Sequence, residues 1–336
     1  MSVIVPVHNR SLQLRALLAA LSRQSFPHDT FEVLVCDDGS SEDLTRVLSP
    51  ADGLQLVYLR QRQCGPGEAR NLGLRHARGE IVAFTDSDCV PDEHWLRSLS
   101  EALESQAVGL VGGRIDYRGG QFLWGRCLNF LMSSTLGAAG ARDPRGRIHM
   151  KFFPRAGNLA VRRSLAEAVD GFSGARYGED IEFSDRVHKL GVEVRFVPEA
   201  VVLHNEQRGI CQILREAFQK GRTRVRLARL RRMHEPLHAM PAGFVIYSFA
   251  SLGLGLLWPA HAAWFSIPGV LYALLIGILA VQGVWVLRDL RAALVVPLCA
   301  LAIHFGYGIG YLTEWMWSRA PTSVRSTEQP QTAHDS

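Results

Sequence analysis

Cysteine is sparse in this 336-residue chain, and its six copies are scattered without a C-x-x-C pair, at Cys36, Cys64, Cys89, Cys127, Cys211 and Cys299. That distribution excludes both a disulfide framework and a zinc site built on paired cysteines, and it is typical of a reducing compartment. The N-terminus also lacks a basic segment followed by a long apolar run, because the apolar stretch Ser2–Val7 is short. We therefore expect no secretory signal peptide.

Charged residues are missing from two long stretches towards the C-terminal end. Residues 236–287 and 292–313 contain no Asp, Glu, Lys or Arg. A helix that crosses a bilayer needs about 20 apolar residues, and uncharged runs of this length are rare in soluble domains. The alternative to membrane spans is a hairpin buried in the core of a soluble domain. The pattern predicts membrane spans at 242–258, 263–287 and 292–313, although two spans instead of three remain open.

The basic residues are concentrated beside these runs. The net charge is only +5, but Arg215–Arg232 carries eight Lys or Arg and one acid. Cytoplasmic loops are enriched in Lys and Arg, so this run and the loop Arg288–Arg291 should face the cytoplasm, and three spans would put the tail outside. The run is either a helix lying on the anionic leaflet of an inner membrane or a solvated face that only fixes topology. Aromatic residues do not interleave its charges, so nucleic acid is not an expected partner.

The N-terminal part alternates short apolar runs with helical patterns. Apolar strands are predicted at Val3–Val7, Phe31–Cys36, Leu54–Leu59 and Glu80–Thr85, with helices over residues 12–21, 69–77 and 95–103. Continuous strands that alternate with helices indicate an α/β doubly wound, mostly parallel sheet. The predicted organisation is a catalytic domain at 1–208, an amphipathic interfacial helix at 209–235, a membrane region at 236–317 and a disordered tail at 318–336.

Acidic residues follow several of the predicted strands. Pro6-Val-His-Asn9 follows the first strand, Asp37-Asp-Gly-Ser40 the second and Asp86-Ser-Asp88 the fourth. Ligands bind beyond the carboxyl ends of strands in such sheets, and converging carboxylates repel one another unless a cation neutralises them. Oxygen ligands suit Mg²⁺ or Mn²⁺, although Asp and Ser are also common turn and helix-capping residues. D-x-D after a buried strand is therefore a candidate metal–diphosphate site.

Three further segments could carry chemistry. Gly65–Asn71 is a Gly-rich turn that opens a helix with an Arg nearby, which suits an anion, but it lacks the Lys-Ser/Thr pair of a Walker loop and the last Gly of the dinucleotide fingerprint. Gly178-Glu-Asp180 opens a helix over residues 181–190, where the helix dipole would keep a carboxylate ionised as a general base requires. Asp180 could instead be an N-cap. His204 ends an apolar run and is either a metal ligand or structural.

The ordered set of these motifs resembles the family 2 inverting glycosyltransferases with the GT-A fold. The motifs are S-V-I-V-P-V-H-N, D-D-G-S, G-x-x-x-A-R-N, D-x-D, G-N-L-A-V-R-R and G-E-D, and they cover roughly residues 1–235. Each piece is unspecific, but the order and spacing are specific. The resemblance implies a nucleotide-sugar donor whose base and ribose are held by Asp37 and Asp38.

The resemblance also implies roles for the other matching residues. Pro6 and the segment Val7–Asn9 would line the base pocket, and Arg70 would lie near the donor. In the D-x-D pair, Asp86 would face the donor and the metal, and Asp88 would be the more direct ligand. Asp180 would be the catalytic base, with Glu179 beside it in the acceptor site. His204 could complete the coordination sphere of Mg²⁺ or Mn²⁺.

The family chemistry is a single in-line displacement with inversion at the anomeric carbon. Processive members carry Q-x-x-R-W, whereas Gln219-Lys-Gly-Arg222-Thr223 lacks the Trp. We therefore expect the transfer of one sugar to a lipid-linked or glycan acceptor near the membrane. A non-catalytic scaffold of an envelope-polysaccharide complex is the alternative, and a nucleotidyltransferase is a third. Specificity should lie between Arg114 and Arg155, where five residues either face the acceptor or belong to the core: Tyr117, Phe122, Trp124, Phe130 and His149.

Overall fold

The computed structural model describes residues 1–48, 53–116, 123–138, 152–174, 178–204, 209–231 and 236–317. The expectations for Tyr117, Phe122, His149 and the tail at 318–336 fall outside these ranges. The described part contains an α/β domain followed by three long apolar helices. The predicted fold class is therefore confirmed.

The α/β domain is built on one mixed sheet. In the described residues its eight strands are β1 (Ser2–Val7), β2 (Glu32–Asp38), β3 (Gln55–Gln61), β4 (Ile81–Phe84), β5 (Cys89–Pro91), β6 (Val108–Asp116), β7 (Leu159–Arg162) and β8 (Glu193–His204). Their order is β3-β2-β1-β4-β7-β6-β8-β5. Strands β3, β2, β1 and β4 run parallel to one another, whereas β7 is antiparallel to both β4 and β6. The carboxyl ends of β1, β2 and β4, with the acidic residues that end β2 and follow β4, therefore lie at one edge of the sheet.

Helices cover both faces of the sheet. The helices that cover it are α1 (Ser11–Leu21), α2 (Thr45–Leu48), α3 (Pro66–His76), α4 (Trp95–Ala102), α7 (Arg163–Ala168) and α8 (Glu179–His188). Helices α5 (Leu123–Ser133) and α6 (Thr135–Ala138) instead pack against the apolar helices of the C-terminal part. On β1, Val3 and Val5 face a core formed with α1 and α4, and Ile4 faces a second core formed with α3, α7 and α8. This alternation on a strand buried on both faces explains why β1 is apolar throughout.

The boundaries of two predicted elements differ in a way that matters for the site. Strand β2 extends to Asp38, so Asp37 and Asp38 belong to the strand and do not follow it. Helix α8 begins at Glu179, two residues before the predicted start, and its N-cap is Gly178, not Asp180. The carboxylates of Glu179 and Asp180 thus both lie in the first turn of α8.

The C-terminal part consists of helices α9 (Ile210–Arg231), α10 (Met240–Leu257), α11 (Ala262–Leu287) and α12 (Ala292–Trp317). The last three, with short helical turns before α10 and α11, are long and apolar enough to cross a membrane. They match the three predicted runs to within a few residues. Trp124 and Phe130 of α5 pack with apolar residues of α11 and α12, as core residues do.

Candidate donor, metal and catalytic site

Asp37 and Asp38 hold the loops that surround the predicted base pocket. The fully buried Asp37 accepts hydrogen bonds from the Ser40 backbone N–H (2.8 Å) and the Tyr58 hydroxyl (2.7 Å). Asp38 accepts bonds from the backbone N–H groups of Cys64 and Gly65, both at 2.8 Å. Both carboxylates therefore organise the ends of β2 and β3 before any donor arrives, and their contact with base and ribose stays a prediction.

The first half of the segment Pro6–Asn9 is buried in β1, and the second half lies in the loop that follows. Pro6 and Val7 are buried in β1, and the Val7 side chain belongs to the hydrophobic core. Asn9 has a positive φ of 52°, a conformation that Asn tolerates better than most residues. Its side-chain oxygen accepts bonds from the backbone N–H groups of Ser41 (2.7 Å) and Glu42 (3.2 Å). Asn9 therefore ties the loop after β1 to the loop after β2, at the mouth of the predicted pocket.

Arg70 joins the D-x-D motif to the E-D motif. Its Nη2 donates to Asp86 at 2.7 Å, and its Nη1 donates to Glu179 at 3.0 Å. The guanidinium is buried and lies over the Phe172 ring, 5.3 Å from the centroid. Burial lowers the pKa of Arg70, but the two carboxylates outweigh that effect and raise it, so the group remains charged.

Glu179 has a displaced pKa. Burial, and next the negative charge of Asp180, raise the pKa of Glu179 to about 7, although Arg70 opposes the shift. Asp180 is less enclosed. Its Oδ2 lies 3.4 Å from Arg155 Nη1, and its Oδ1 accepts a bond from the Ile181 backbone N–H at 2.8 Å. The first turn of α8 thus presents two carboxylates in different environments.

Asp88 and His204 form the candidate metal site. Residues Cys89 and His204 are directly paired between β5 and β8, and ligand atoms of Asp88, Cys89 and His204 all lie within 4.8 Å of one another. His204 Nε2 is 3.6 Å from Asp88 Oδ1. Two ligands each about 2.1 Å from one ion at a right angle would be about 3 Å apart, so a small adjustment suffices. Burial raises the pKa of the Cys89 thiol well above its usual value. The carboxylate of Asp88 is the kind of ligand that suits Mg²⁺ or Mn²⁺.

The sequence analysis assigned no role to Arg10, Arg155 or Asn158. Arg10 immediately follows Asn9 and contacts Asp88 through its guanidinium. Asn158 accepts a bond from the Trp95 indole (2.8 Å) and donates to the carbonyls of Arg114 and Ala200, so it connects α4, β6 and β8. The position of Arg10 beside a strand-end motif was a usable signal. Asn158 belongs to the G-N-L-A-V-R-R motif, which was the signal for it, whereas Arg155 has a partner that is distant in sequence and offered no local signal.

Gly157 and Gly178 allow two close approaches within the site. A Cβ on Gly157 would lie 3.0 Å from Asp86 Oδ2, and one on Gly178 would lie 2.5 Å from the Thr223 side chain of α9. Gly178 also has a φ of 79°, which side chains rarely adopt. The glycines of G-N-L-A and G-E-D therefore bring the D-x-D motif against β7 and the first turn of α8 against α9.

A mixed sheet of this order, with acidic motifs at its edge, is the arrangement of a GT-A glycosyltransferase. The chain matches the glycosyl transferase family 2 over residues 2–176 and belongs to that family. Glycosyltransferase AglE of Haloferax volcanii is 28% identical over 239 residues, 69% of this chain and 75% of that protein. The pre-mycofactocin glycosyltransferase of Mycobacterium tuberculosis is 29% identical over 76% of this chain, which spans only 53% of that protein.

A solved structure agrees with this fold. The mannosyltransferase PcManGT from Pyrobaculum calidifontis, in complex with GDP-Man and Mn²⁺, superimposes with a TM-score of 0.58 at 20% identity. The match covers 94% of this chain and 86% of that one. At such low identity the similarity establishes the GT-A fold, and the chemistry of this chain must be argued from its own residues.

Proposed function

We propose that this chain transfers one sugar from a nucleoside-diphosphate sugar to a lipid-linked or glycan acceptor beside the membrane, with inversion and with a divalent metal. The observation that carries the proposal is the chain of contacts from Asp86 through Arg70 to Glu179, next to Asp180. It joins the candidate donor end of the sheet to the candidate catalytic carboxylate. Mn²⁺ in the PcManGT complex is consistent with the Asp88–His204 site.

In this mechanism Asp180 removes the proton from the acceptor hydroxyl. The hydroxyl oxygen forms a bond to the anomeric carbon from the face opposite the diphosphate, and the bond to the diphosphate oxygen breaks with its electron pair. Arg155 orients Asp180, and Arg70 holds Glu179 and Asp86 in place. A bound divalent ion would be held by Asp88 and His204 and would supply positive charge for the leaving diphosphate.

The position of α8 supports a membrane-proximal acceptor. Gly178 packs against Thr223 of α9, and α9 in turn packs against the apolar helix α12. An acceptor that reaches Asp180 therefore approaches next to the membrane region. We further propose that this membrane is the inner membrane, with the catalytic domain in the cytoplasm, because the basic residues of α9 and of the loop at Arg288–Arg291 flank the apolar helices.

Calorimetric titration of the detergent-solubilised protein with UDP and GDP, with and without Mn²⁺, tests donor binding. We expect one nucleotide to bind only with the ion. Asp180→Asn should keep this binding but lower the transfer rate by about 10²- to 10⁴-fold, the usual contribution of a general base. Asp170→Asn is the matched control, because Asp170 is exposed and its φ of 55° suits Asn. Wild-type turnover in Asp180→Asn would remove Asp180 from the mechanism, and failure of both nucleotides to bind would refute the donor assignment.

A further inference from the structure

Helix α12 is apolar enough to cross a membrane, but its packing differs from that of α10 and α11. In its most apolar stretch 44% of the residues are buried against protein, compared with 22% in α11 and 11% in α10. Apolar composition has two explanations, contact with lipid and contact with protein. For much of α12 the contacts are with protein.

The C-terminal half of α12 runs side by side with the basic helix α9. A Cβ on Gly306 would lie 2.9 Å from the Leu214 carbonyl, and one on Gly310 would lie 2.0 Å from the Phe218 carbonyl. One turn further, Arg222 Nε donates to Glu314 at 2.7 Å. These contacts advance by four residues on both helices, so α9 and α12 are parallel and in close backbone contact through small residues.

The basic residues of α9 determine how deep the helices α9 and α12 lie in the membrane. Arg215, Lys220, Arg222, Arg224 and Arg226 lie in the stretch that accompanies α12. Arg226 joins Arg222 on the buried carboxylate of Glu314, with its Nε 2.7 Å from Oε1. Several Lys and Arg on one helix are too costly for the hydrocarbon core, whereas at the membrane surface they are favourable. Because α12 follows α9 turn by turn, the C-terminal half of α12 must share that depth.

Both ends of α12 also contact helices that are joined to the catalytic domain. At the N-terminal end, α5 packs on Val295, Val296 and Cys299, and Arg126 of α5 donates to the Leu287 carbonyl at 2.6 Å. At the other end, Glu314 binds α9 where Thr223 meets Gly178 beside the candidate catalytic carboxylates. A helix that crossed the bilayer would have its two ends on opposite sides, which these contacts do not allow.

We propose that α12 lies along the membrane surface beneath the catalytic domain and that α10 and α11 enter the bilayer as a hairpin. The large exposed residues Leu294, Leu298, Leu301 and Ile309 recur at helical spacing and form a single stripe, which faces lipid. Exposed Trp258 and Trp264 flank the turn between α10 and α11, as aromatic residues do at the far membrane interface. The chain after Trp317 then continues on the side of the catalytic domain.

Depth measurements along the exposed stripe test this proposal. Single cysteines at Leu294, Leu301 and Ile309 are spin-labelled in full-length protein with Cys64→Ser and Cys211→Ser, because these two native cysteines are the exposed ones among those described. Electron paramagnetic resonance with oxygen and a nickel chelate then reports depth in vesicles. We expect equal depths at the three α12 positions. A crossing helix would move about 22 Å between residues 294 and 309, with Leu301 deepest, and that profile would overturn the proposal.

Labels on Ile246, Leu252 and Leu256 of α10 provide the matched control, because these residues are also exposed on an apolar helix and should change depth progressively. A second measurement uses native Cys64 on the catalytic domain and a cysteine introduced at Ser336, with Cys211→Ser. A membrane-impermeant maleimide should reach both from the same side of the membrane. Labelling from opposite sides would mean an odd number of crossings and would refute the surface position of α12.

Discussion

The two aspartates of the D-x-D motif differ in what neutralises them. Asp86 pairs with Arg70, which is buried and shared with Glu179. Asp88 contacts Arg10, whose side chain is 44% exposed, and lies near His204. The positive charge beside Asp86 is therefore fixed in the scaffold, whereas the one beside Asp88 sits on a side chain that can turn into solvent. The difference indicates that Asp88 is where a metal ion can replace a protein cation.

The largest effect should come from removing the fixed charge. Arg70→Met leaves Asp86 and Glu179 without their shared partner, and breaking a buried ion pair on one side costs about 3–5 kcal/mol. Asp86 is about one-third exposed, which reduces its part of the loss. We expect a much lower thermal unfolding midpoint, measured by tryptophan fluorescence in detergent. Arg75→Met, on the exposed side of α3, should change it little. Equal midpoints for the two variants would mean that the Arg70 bridge contributes nothing to the fold.

The second-largest effect should be a loss of metal-dependent nucleotide binding while the protein still folds. Asp88→Asn keeps the shape of the side chain but removes the charge that would hold the metal, so nucleotide binding should lose its dependence on Mn²⁺. We expect the nucleotide affinity to fall at least about tenfold, which is the usual cost of losing one group that binds a metal or supports a metal ligand. Calorimetry with Asp92→Asn as the exposed control checks this. Metal-dependent binding at wild-type affinity in Asp88→Asn would assign the metal to other residues.

The sequence predicted those parts of the site that depend on residues close together along the chain. The apolar run Ile81–Phe84 forms β4 as expected, so the position of Asp86 and Asp88 at a strand end could be predicted. The ion bridge could not, because Glu179 is 109 residues from Arg70 and each looks like an ordinary charged residue in its own segment. A bridge of this kind is a property of the folded sheet and helices together.

The membrane region shows the same limit in another form. Apolar runs predicted the helices correctly, because length and hydropathy are local properties. Whether an apolar face meets lipid or protein depends on its neighbours. The contact between Glu314 and Arg222 spans 92 residues, and the G-x-x-x-G spacing of Gly306 and Gly310 favours close helix packing without indicating the partner helix. Counting apolar runs therefore found α12 without indicating its depth.

A smaller effect should sharpen the contrast between the two aspartates. Arg10→Gln removes the positive charge that contacts Asp88, so Mn²⁺ should bind more tightly when no donor is present. A partly exposed ion pair is worth up to about 1 kcal/mol, which corresponds to roughly fivefold. Titration of the free-Mn²⁺ paramagnetic resonance signal measures this. Arg15→Gln removes the same charge from an exposed position of α1 and should have no such effect. Unchanged or weaker Mn²⁺ binding in Arg10→Gln would show that Arg10 does not compete with the ion.

The smallest effect concerns the far end of the Arg70 bridge. Because the pKa of Glu179 is raised to about 7, its carboxyl is mostly neutral below that pH and charged above it. Charged Glu179 holds Arg70 more firmly, so kcat/KM of the wild type should rise through about pH 7 by roughly two- to threefold, the scale of one modest ion pair. Glu179→Gln cannot titrate and should lack this rise, whereas the exposed Glu167→Gln should retain it. If the rise persisted in Glu179→Gln, the titrating group would lie elsewhere. The positive charge that Arg70 places beside Asp86 would then act independently of the E-D motif.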